Sequence, residues 1–172
     1  MTATAPATPQ GNAQTALERG IALAMARIGL PAPHSLERLS GGANMESWRF
    51  VSGPETCVLR RAPGGEALVG GRAIGLDTEA ALIRAACAAG VRAPEVLVEL
   101  EAGDGIGMGF IMRAVPGTPD PAVILAESDG EALVAELGRE LAATHRIDFT
   151  GLTELPVFEN RAALAALRER YL

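Results

Sequence analysis

Lysine is absent from the sequence, and all fifteen basic residues are arginine. Schiff-base chemistry and a Walker-type phosphate lysine are excluded, because both need a primary amine. Aromatic residues make up only 3% of the chain, too few for the stacking platforms that hold single-stranded nucleic acid. The net charge is −6 and no basic run exceeds the pair Arg60-Arg61, so the electrostatic footprint of a nucleic-acid binder is missing. Two cysteines, Cys57 and Cys87, stand thirty residues apart in apolar surroundings, without Cys-x-x-Cys spacing and with only two histidines in the chain. That usage predicts reduced, buried thiols in a cytoplasmic protein. No apolar run approaches the roughly 18 residues of a membrane span. Residues Met1 to Gln14, mostly Thr, Ala, Pro and Gln, lack the basic and apolar regions of a signal peptide and read as a disordered tail.

What is present is aliphatic: 48% of the 172 residues are hydrophobic, chiefly Ala, Leu and Val. A chain of this length buries about 70% of its unfolded surface, enough for a real core. Leu17, Ile21, Ala24, Met25 and Ile28 recur at helical spacing between Thr15 and Ile28, and Gly29 with Pro31 ends the pattern. The texture then changes. Leu36 to Leu39, Ser47 to Val51 and Thr56 to Arg60 are short strand-like runs separated by Gly41-Gly42-Ala43-Asn44 and Ser52-Gly53-Pro54-Glu55, which predicts an antiparallel meander. Five glycines between Gly64 and Gly75 predict a mobile loop. Asp77 reads as the N-cap of a helix to about Ala89, closed by Gly90. Glu95 to Glu101 and Phe110 to Val115 read as two further strands joined by a glycine-rich hairpin. After Pro116-Gly117-Thr118-Pro119, Asp129 caps a long helix to about Arg146 with Leu133, Leu137 and Leu141 on one stripe, and a last helix starts near Asn160.

The predicted fold class is therefore α+β. A five-stranded antiparallel sheet with one helix inserted after the third strand has the layout of a protein-kinase-like N-lobe. The expected organisation is a tail over 1–14, an N-terminal helix plus nucleotide-binding lobe over 15–115, and a hinge with the first helices of an incomplete C-lobe over 116–172.

The local sequences are more specific than the topology. Leu39-Ser40-Gly41-Gly42-Ala43-Asn44-Met45-Glu46-Ser47-Trp48-Arg49-Phe50 resembles the first hairpin of the aminoglycoside phosphotransferase family, in which a Gly-Gly-Ala turn precedes an aromatic residue on the returning strand. Val58 to Pro63, Glu79 in its helix, Ala89 to Val96, Gly109 to Gly117 and Leu141 to Asp148 resemble that family's later segments, in the same order. The resemblance spans about Leu36 to Leu152. It implies an ATP-dependent phosphotransferase, using Mg²⁺, that acts on a hydroxylated small molecule.

Roles follow residue by residue. A glycine-rich turn lets backbone N–H groups approach phosphate oxygens, which suits Ser40, Gly41, Gly42, Ala43 and Asn44; a plain tight hairpin turn would look the same. Strand alternation puts Val58 and Arg60 on one face, so Val58 would cover the adenine while Arg60 reaches the phosphates. Such folds usually carry lysine at the second position, and the arginine here also fits a chain that uses no lysine at all. Glu79 shares a helical face with Leu82, Ile83, Ala86 and Cys87, and a carboxylate on an apolar stripe needs a partner. The Lys–Glu pair of kinase folds supplies one in the form Arg60–Glu79; a first-turn glutamate favoured by the helix dipole is the other reading. Met112, Arg113 and Val115 fall where the family's hinge runs and where backbone groups would bond adenine, although a strand ending in a Pro-Gly turn is equally compatible.

Two lookalikes fail on their context. Gly103-x-Gly105-x-Gly107-x-Gly109 mimics a dinucleotide fingerprint, but a strand follows where a helix would have to begin. His145-Arg146-Ile147-Asp148 mimics a catalytic loop with an extra residue and no Asn at the needed spacing, so His145 reads as packing at a helix end. The family's catalytic Asp and Asn and its metal-binding Asp match nothing between Leu152 and Leu172, so this chain alone is expected to be inactive. The alternative is a non-catalytic nucleotide-binding or interaction module. A face left open by missing C-lobe helices, with Leu164, Leu167 and Tyr171 in line, would favour self-association. The expected partners are a nucleotide and a small-molecule substrate, with neither nucleic acid nor membrane.

Overall fold

The computed structural model describes residues 9–39, 45–62, 74–127 and 129–152, together with residues 155, 168 and 169. Helix α1 (Pro9–Arg27) begins six residues before the expected start at Thr15, so part of the expected tail is helical. Proline at the first helical position has no N–H to lose and a pre-set φ, which favours the earlier start. Leu17, Ile21, Ala24 and Met25 are buried along one side of α1. Gly29, at φ +74°, closes the helix: its N–H bonds the Ala26 carbonyl at 3.1 Å and the Leu30 N–H bonds Met25 at 3.0 Å. This Schellman arrangement satisfies two orphan carbonyls. Ile28, expected on the buried stripe, falls in that turn and is 39% exposed.

Five antiparallel strands follow the expected plan: β1 (His34–Leu39), β2 (Glu46–Ser52), β3 (Glu55–Ala62), β4 (Val96–Glu99) and β5 (Met108–Arg113). Their order in the sheet is β1-β2-β3-β5-β4. Alternation along β3 serves two cores. Cys57 and Leu59 join Phe50, Ile111 and the buried side of α1 in one cluster, while Ala62 and Phe110 face the other way, against Leu76 and Ala80 of helix α2 (Leu76–Ala88). A sheet covered on both faces needs apolar residues of both parities, and β3 supplies them. Cys57 and Cys87 are both free thiols, and burial, reinforced by Glu55, pushes the Cys57 thiol up against the opposing charge of Arg113.

Helix α2 is capped two residues earlier than expected. Gly75 is the N-cap, and Asp77 sits inside the first turn with its carboxylate accepting from the Thr78 N–H. The closing turn at Gly90 repeats the one at Gly29, with Gly90 bonded to Cys87 and Val91 to Ala86. The β4–β5 connection is a 3₁₀ turn over Ala102–Asp104, because the Asp104 carboxylate accepts from the Glu101 N–H and winds the loop. Strand β4 is correspondingly shorter than expected, whereas β5 keeps the expected length of 6 residues and begins at Met108 in place of Phe110.

Beyond the hinge lie a short helix α3 (Pro121–Glu127), unanticipated, and α4 (Gly130–Thr144). Asp129 caps α4 as expected, accepting from the Glu131 N–H at 3.0 Å. The expected burial of the α4 stripe is not observed: Leu137 and Leu141 are 60% and 57% exposed, and His145, at the C-cap, is exposed as well. Among the described residues this helix is tied to the lobe by charge, with Arg92 bridging Glu136 and Glu140. The loop between β3 and α2 over residues 63–73 and the expected helix from Asn160 lie outside the described residues, apart from the helical pair 168–169.

Two devices seat α1 on the β4–β5 connection. Gly20 lies so close that a Cβ there would come within 2.4 Å of Ile106 Cγ2 and 2.6 Å of the Asp104 carbonyl oxygen. Arg27 forks onto Asp104 at 2.5 and 3.0 Å and donates to the Glu99 carbonyl at 2.8 Å. Burial opposes ionisation of Asp104, but the Arg27 bonds, the Glu101 N–H and the arginine charge outweigh it and hold the carboxyl below its usual range.

Gly20→Leu should therefore destabilise the fold by about 1–3 kcal/mol through overpacking, despite its better helix propensity, read by urea denaturation. Asp104→Ala should cost about 2–4 kcal/mol at pH 7, at the lower end for a broken buried pair because the Arg27 side chain is 30% exposed. Since the folded-state pKa of Asp104 is depressed, its contribution is complete above the ordinary value of 3.8 and is lost as pH falls through the folded-state value. The stability gap between the two proteins should accordingly shrink as urea midpoints are followed below that pH.

Candidate nucleotide-binding face

Arg60 and Val58 share the α2 face of β3, as alternation requires. On that face Arg60 stands opposite Ser47 of β2 and Phe110 of β5, and Val58 stands between Arg49 and Met112. Glu79 reaches Arg60 from the first turn of α2, with its Oε1 2.8 Å from the arginine Nε. The two side chains are 33% and 27% exposed. Although close, the Nε–H is not directed at the carboxylate, and the buried Nε has no hydrogen-bond partner among the described residues. The contact is thus an ion pair of charge proximity.

The helical stripe beside this pair differs by one position from the expected one. Leu76, Ala80 and Ile83 pack on Phe110, and Glu79 lies at the edge of the stripe. That placement leaves the carboxylate partly wet and close to the positive end of α2, so both expected reasons for a glutamate at 79 hold together.

Ser40, Gly41, Gly42, Ala43 and Asn44 lie outside the described residues. Their flanks fix where the turn emerges: Leu39 pairs with Ser47, and Ser47 pairs with Arg60. The β1–β2 turn therefore leaves the sheet at the Arg60 end. Met112 is half-buried at the margin of the α2 core, opposite Val58. Arg113 points elsewhere, paired with Glu55 and Glu95. Its backbone N–H bonds the Glu95 carbonyl and that of Ala114 bonds Thr56, both at 2.8 Å. The sheet has used those two donors, and no such bond involves the N–H of Val115, whose side chain is 66% exposed.

Two charged clusters escaped the sequence reading. On the α1 face Arg61 is bound to Glu46 at 2.6 Å and to the Ile106 carbonyl at 2.9 Å. Glu46 also accepts from the Trp48 indole at 3.2 Å. Burial raises the Glu46 pKa, but the bonds from Arg61 and Trp48 with the charges of Arg61 and Arg38 overcome it and hold the group below its usual range. Neighbouring residues on a strand face opposite ways, so Arg61 lies on the face opposite Arg60, and the pairing register sets it beside Glu46. The second cluster is Arg27–Asp104, whose members lie far apart in sequence. Asp148, in the lookalike segment, accepts from the Thr150 N–H and hydroxyl, which lower its pKa, and is a local turn. Among the described residues no three His, Cys, Asp or Glu side chains gather to hold a metal ion.

A sheet of order β1-β2-β3-β5-β4, with a helix inserted after β3 and a cation on β3 paired to a carboxylate on that helix, defines the N-terminal lobe of a protein-kinase-like fold. The chain belongs to the phosphotransferase enzyme family, whose model matches residues 35–172. A crystal structure from Ralstonia eutropha JMP134, provisionally described as an aminoglycoside phosphotransferase, shares the fold with a TM-score of 0.67 at 22% identity, over 92% of this chain and 46% of that one. The chain thus spans about half the length of that protein. No curated protein matches the chain.

If Arg60 and Glu79 are held together mainly by proximity, their mutual contribution to stability is small. A double-mutant cycle over Arg60→Ala and Glu79→Ala, read by urea denaturation, should give a coupling below about 1 kcal/mol.

Proposed function

We propose that this chain carries the nucleotide-binding face of an ATP-dependent phosphotransferase whose acceptor is a hydroxyl group on a small metabolite or antibiotic. The observation that carries the proposal is the Arg60–Glu79 ion pair, a partly exposed cation on β3 held by a carboxylate of α2. A guanidinium one third exposed, on a sheet face flanked by apolar Val58 and Met112, suits a ligand that is anionic at one end and aromatic at the other. In this reading Arg60 donates to phosphate oxygens, Glu79 orients Arg60, and Val58 with Met112 covers the base. Peptide N–H groups of the β1–β2 turn would supply further phosphate donors. Mg²⁺, when bound with ATP, neutralises charge developing on the phosphates. In this reading the Asp and Asn that hold the metal and orient the acceptor lie beyond Leu172.

The exposed α4 stripe, with Val134, Leu137 and Leu141 at 69%, 60% and 57% exposure, favours a second element of the reading: this face is covered by further protein, either more of the same polypeptide or a second copy.

ATP with Mg²⁺ should raise the melting temperature of the chain, since a ligand that binds only the folded state stabilises it by about 2.7 kcal/mol at a hundredfold excess over Kd. In nucleotide titrations Arg60→Ala should weaken ATP about 10- to 100-fold, as expected for losing a charged hydrogen bond. Glu79→Ala should cost about two- to fivefold through loss of positioning. Absence of any shift at millimolar ATP, or unchanged affinity in Arg60→Ala, would reject the reading.

A further inference from the structure

Arg49 is the residue of this face that neither the sequence pattern nor the family resemblance singled out. It lies on β2, directly opposite Val58 of β3 and Glu37 of β1. Its neighbours Trp48 and Phe50 point into the α1 core, so alternation turns Arg49 to the opposite face, the one that carries Val58, Arg60 and Met112. Its side chain is exposed. Of the arginines on the strands, Arg38, Arg60, Arg61 and Arg113 stand in ion pairs, whereas Arg49 has none among the described residues. Glu37, although opposite across the strands, forms no ion pair with it.

The position along the strand distinguishes Arg49 from Arg60. Ser47 faces Arg60 at the end where the β1–β2 turn emerges; Arg49 comes two residues later on the same face, about 6.5–7 Å farther from that turn. It is level with Val58 and Met112, the apolar pair. A cation at the phosphate end would add to Arg60. A cation level with the apolar pair meets what that pair covers, and a planar guanidinium lying on a flat aromatic ring gains from the electron-rich face of the ring.

Resting on the nucleotide reading above, we infer that Arg49 is a second ligand-contacting arginine, which stacks on the base and takes no part in holding phosphate. Stacking tolerates any purine, because each presents the same kind of face. Arg49 therefore adds affinity without choosing between adenine and guanine, and its effect is independent of the number of phosphates.

The experiment compares ATP, ADP, GTP and adenosine in titrations of the full chain carrying Arg49→Ala, Arg49→Lys or Arg60→Ala. Arg49→Ala should lose about 3- to 30-fold for every ligand alike. Arg49→Lys should keep part of the loss, since an ammonium carries the charge but not the plane. Arg60→Ala should lose more for ATP than for adenosine. A loss at Arg49 that grows with phosphate number, or that full charge in Lys restores completely, would overturn the stacking role, as would unchanged affinity in Arg49→Ala. Failure of the unaltered chain to bind any of the four ligands would instead overturn the nucleotide reading itself, and this inference with it. Thermal unfolding of each variant without ligand separates a binding loss from a folding defect; Arg49→Ala, on an exposed strand position, should melt within a few degrees of the unaltered chain.

Discussion

Arg60 occupies the central strand of a sheet packed by α1 on one face and by α2 on part of the other, and the rest of the site depends on how that charge is accommodated. A cation on β3 facing α2 would be costly in a dry core. The structure meets the constraint with Glu79 from α2, 2.8 Å away, and by leaving both side chains partly open to water. The ion pair links the first turn of α2 to β3. It also leaves one third of the Arg60 side chain exposed, so the same arrangement that permits the fold leaves a cation open to an anionic ligand. Stability and function draw on different parts of one guanidinium.

The helix that precedes the family-matched segment is not an appendage. The family model begins at residue 35, yet α1 supplies Leu17, Ile21 and Met25 to the larger of the two cores. Its C-terminal arginine is anchored to Asp104 in the β4–β5 connection. The sheet is thus covered on one face by an element outside the matched region and on the other by α2. The chemically suggestive groups sit on the α2 side, while the α1 side is devoted to packing and to the Glu46–Arg61 contact. This division follows from strand alternation: Arg60 and Arg61 are neighbours in sequence and serve opposite faces.

Local signals were read most securely where one residue type has one physical use. Gly29 and Gly90 marked helix ends because a left-handed closing residue is cheap only for glycine, and Asp129 marked the start of α4 because its carboxylate can take an orphan N–H. Asp77 carried the same signal and was misleading, since its carboxylate serves the adjacent Thr78 N–H while Gly75 holds the cap position. The Val58–Arg60 face and the Arg60–Glu79 contact were legible from period-two alternation plus the need to pair a carboxylate near an apolar stripe. Which side of α2 Glu79 occupies was misjudged by one position, because helical periodicity leaves neighbouring residues within a broad sector. Leu137 and Leu141 showed apolar spacing that was correctly seen, but spacing reports what a helix offers for burial and not whether anything covers it.

The sequence by itself determined the number, order and type of the elements of the lobe, the closing turns of its helices, and which strand residues share a face. Those properties depend on contacts within a few residues or on simple periodicity. Tertiary structure alone decided that Arg27 meets Asp104, that Arg61 turns to Glu46, that Gly20 must lack a Cβ, and that Arg49 stands level with Val58 and without an ion pair. Each of these is set by register or by the approach of segments distant in the chain, and the identity of a residue does not encode what will lie 3 Å from it until the backbone has closed on itself.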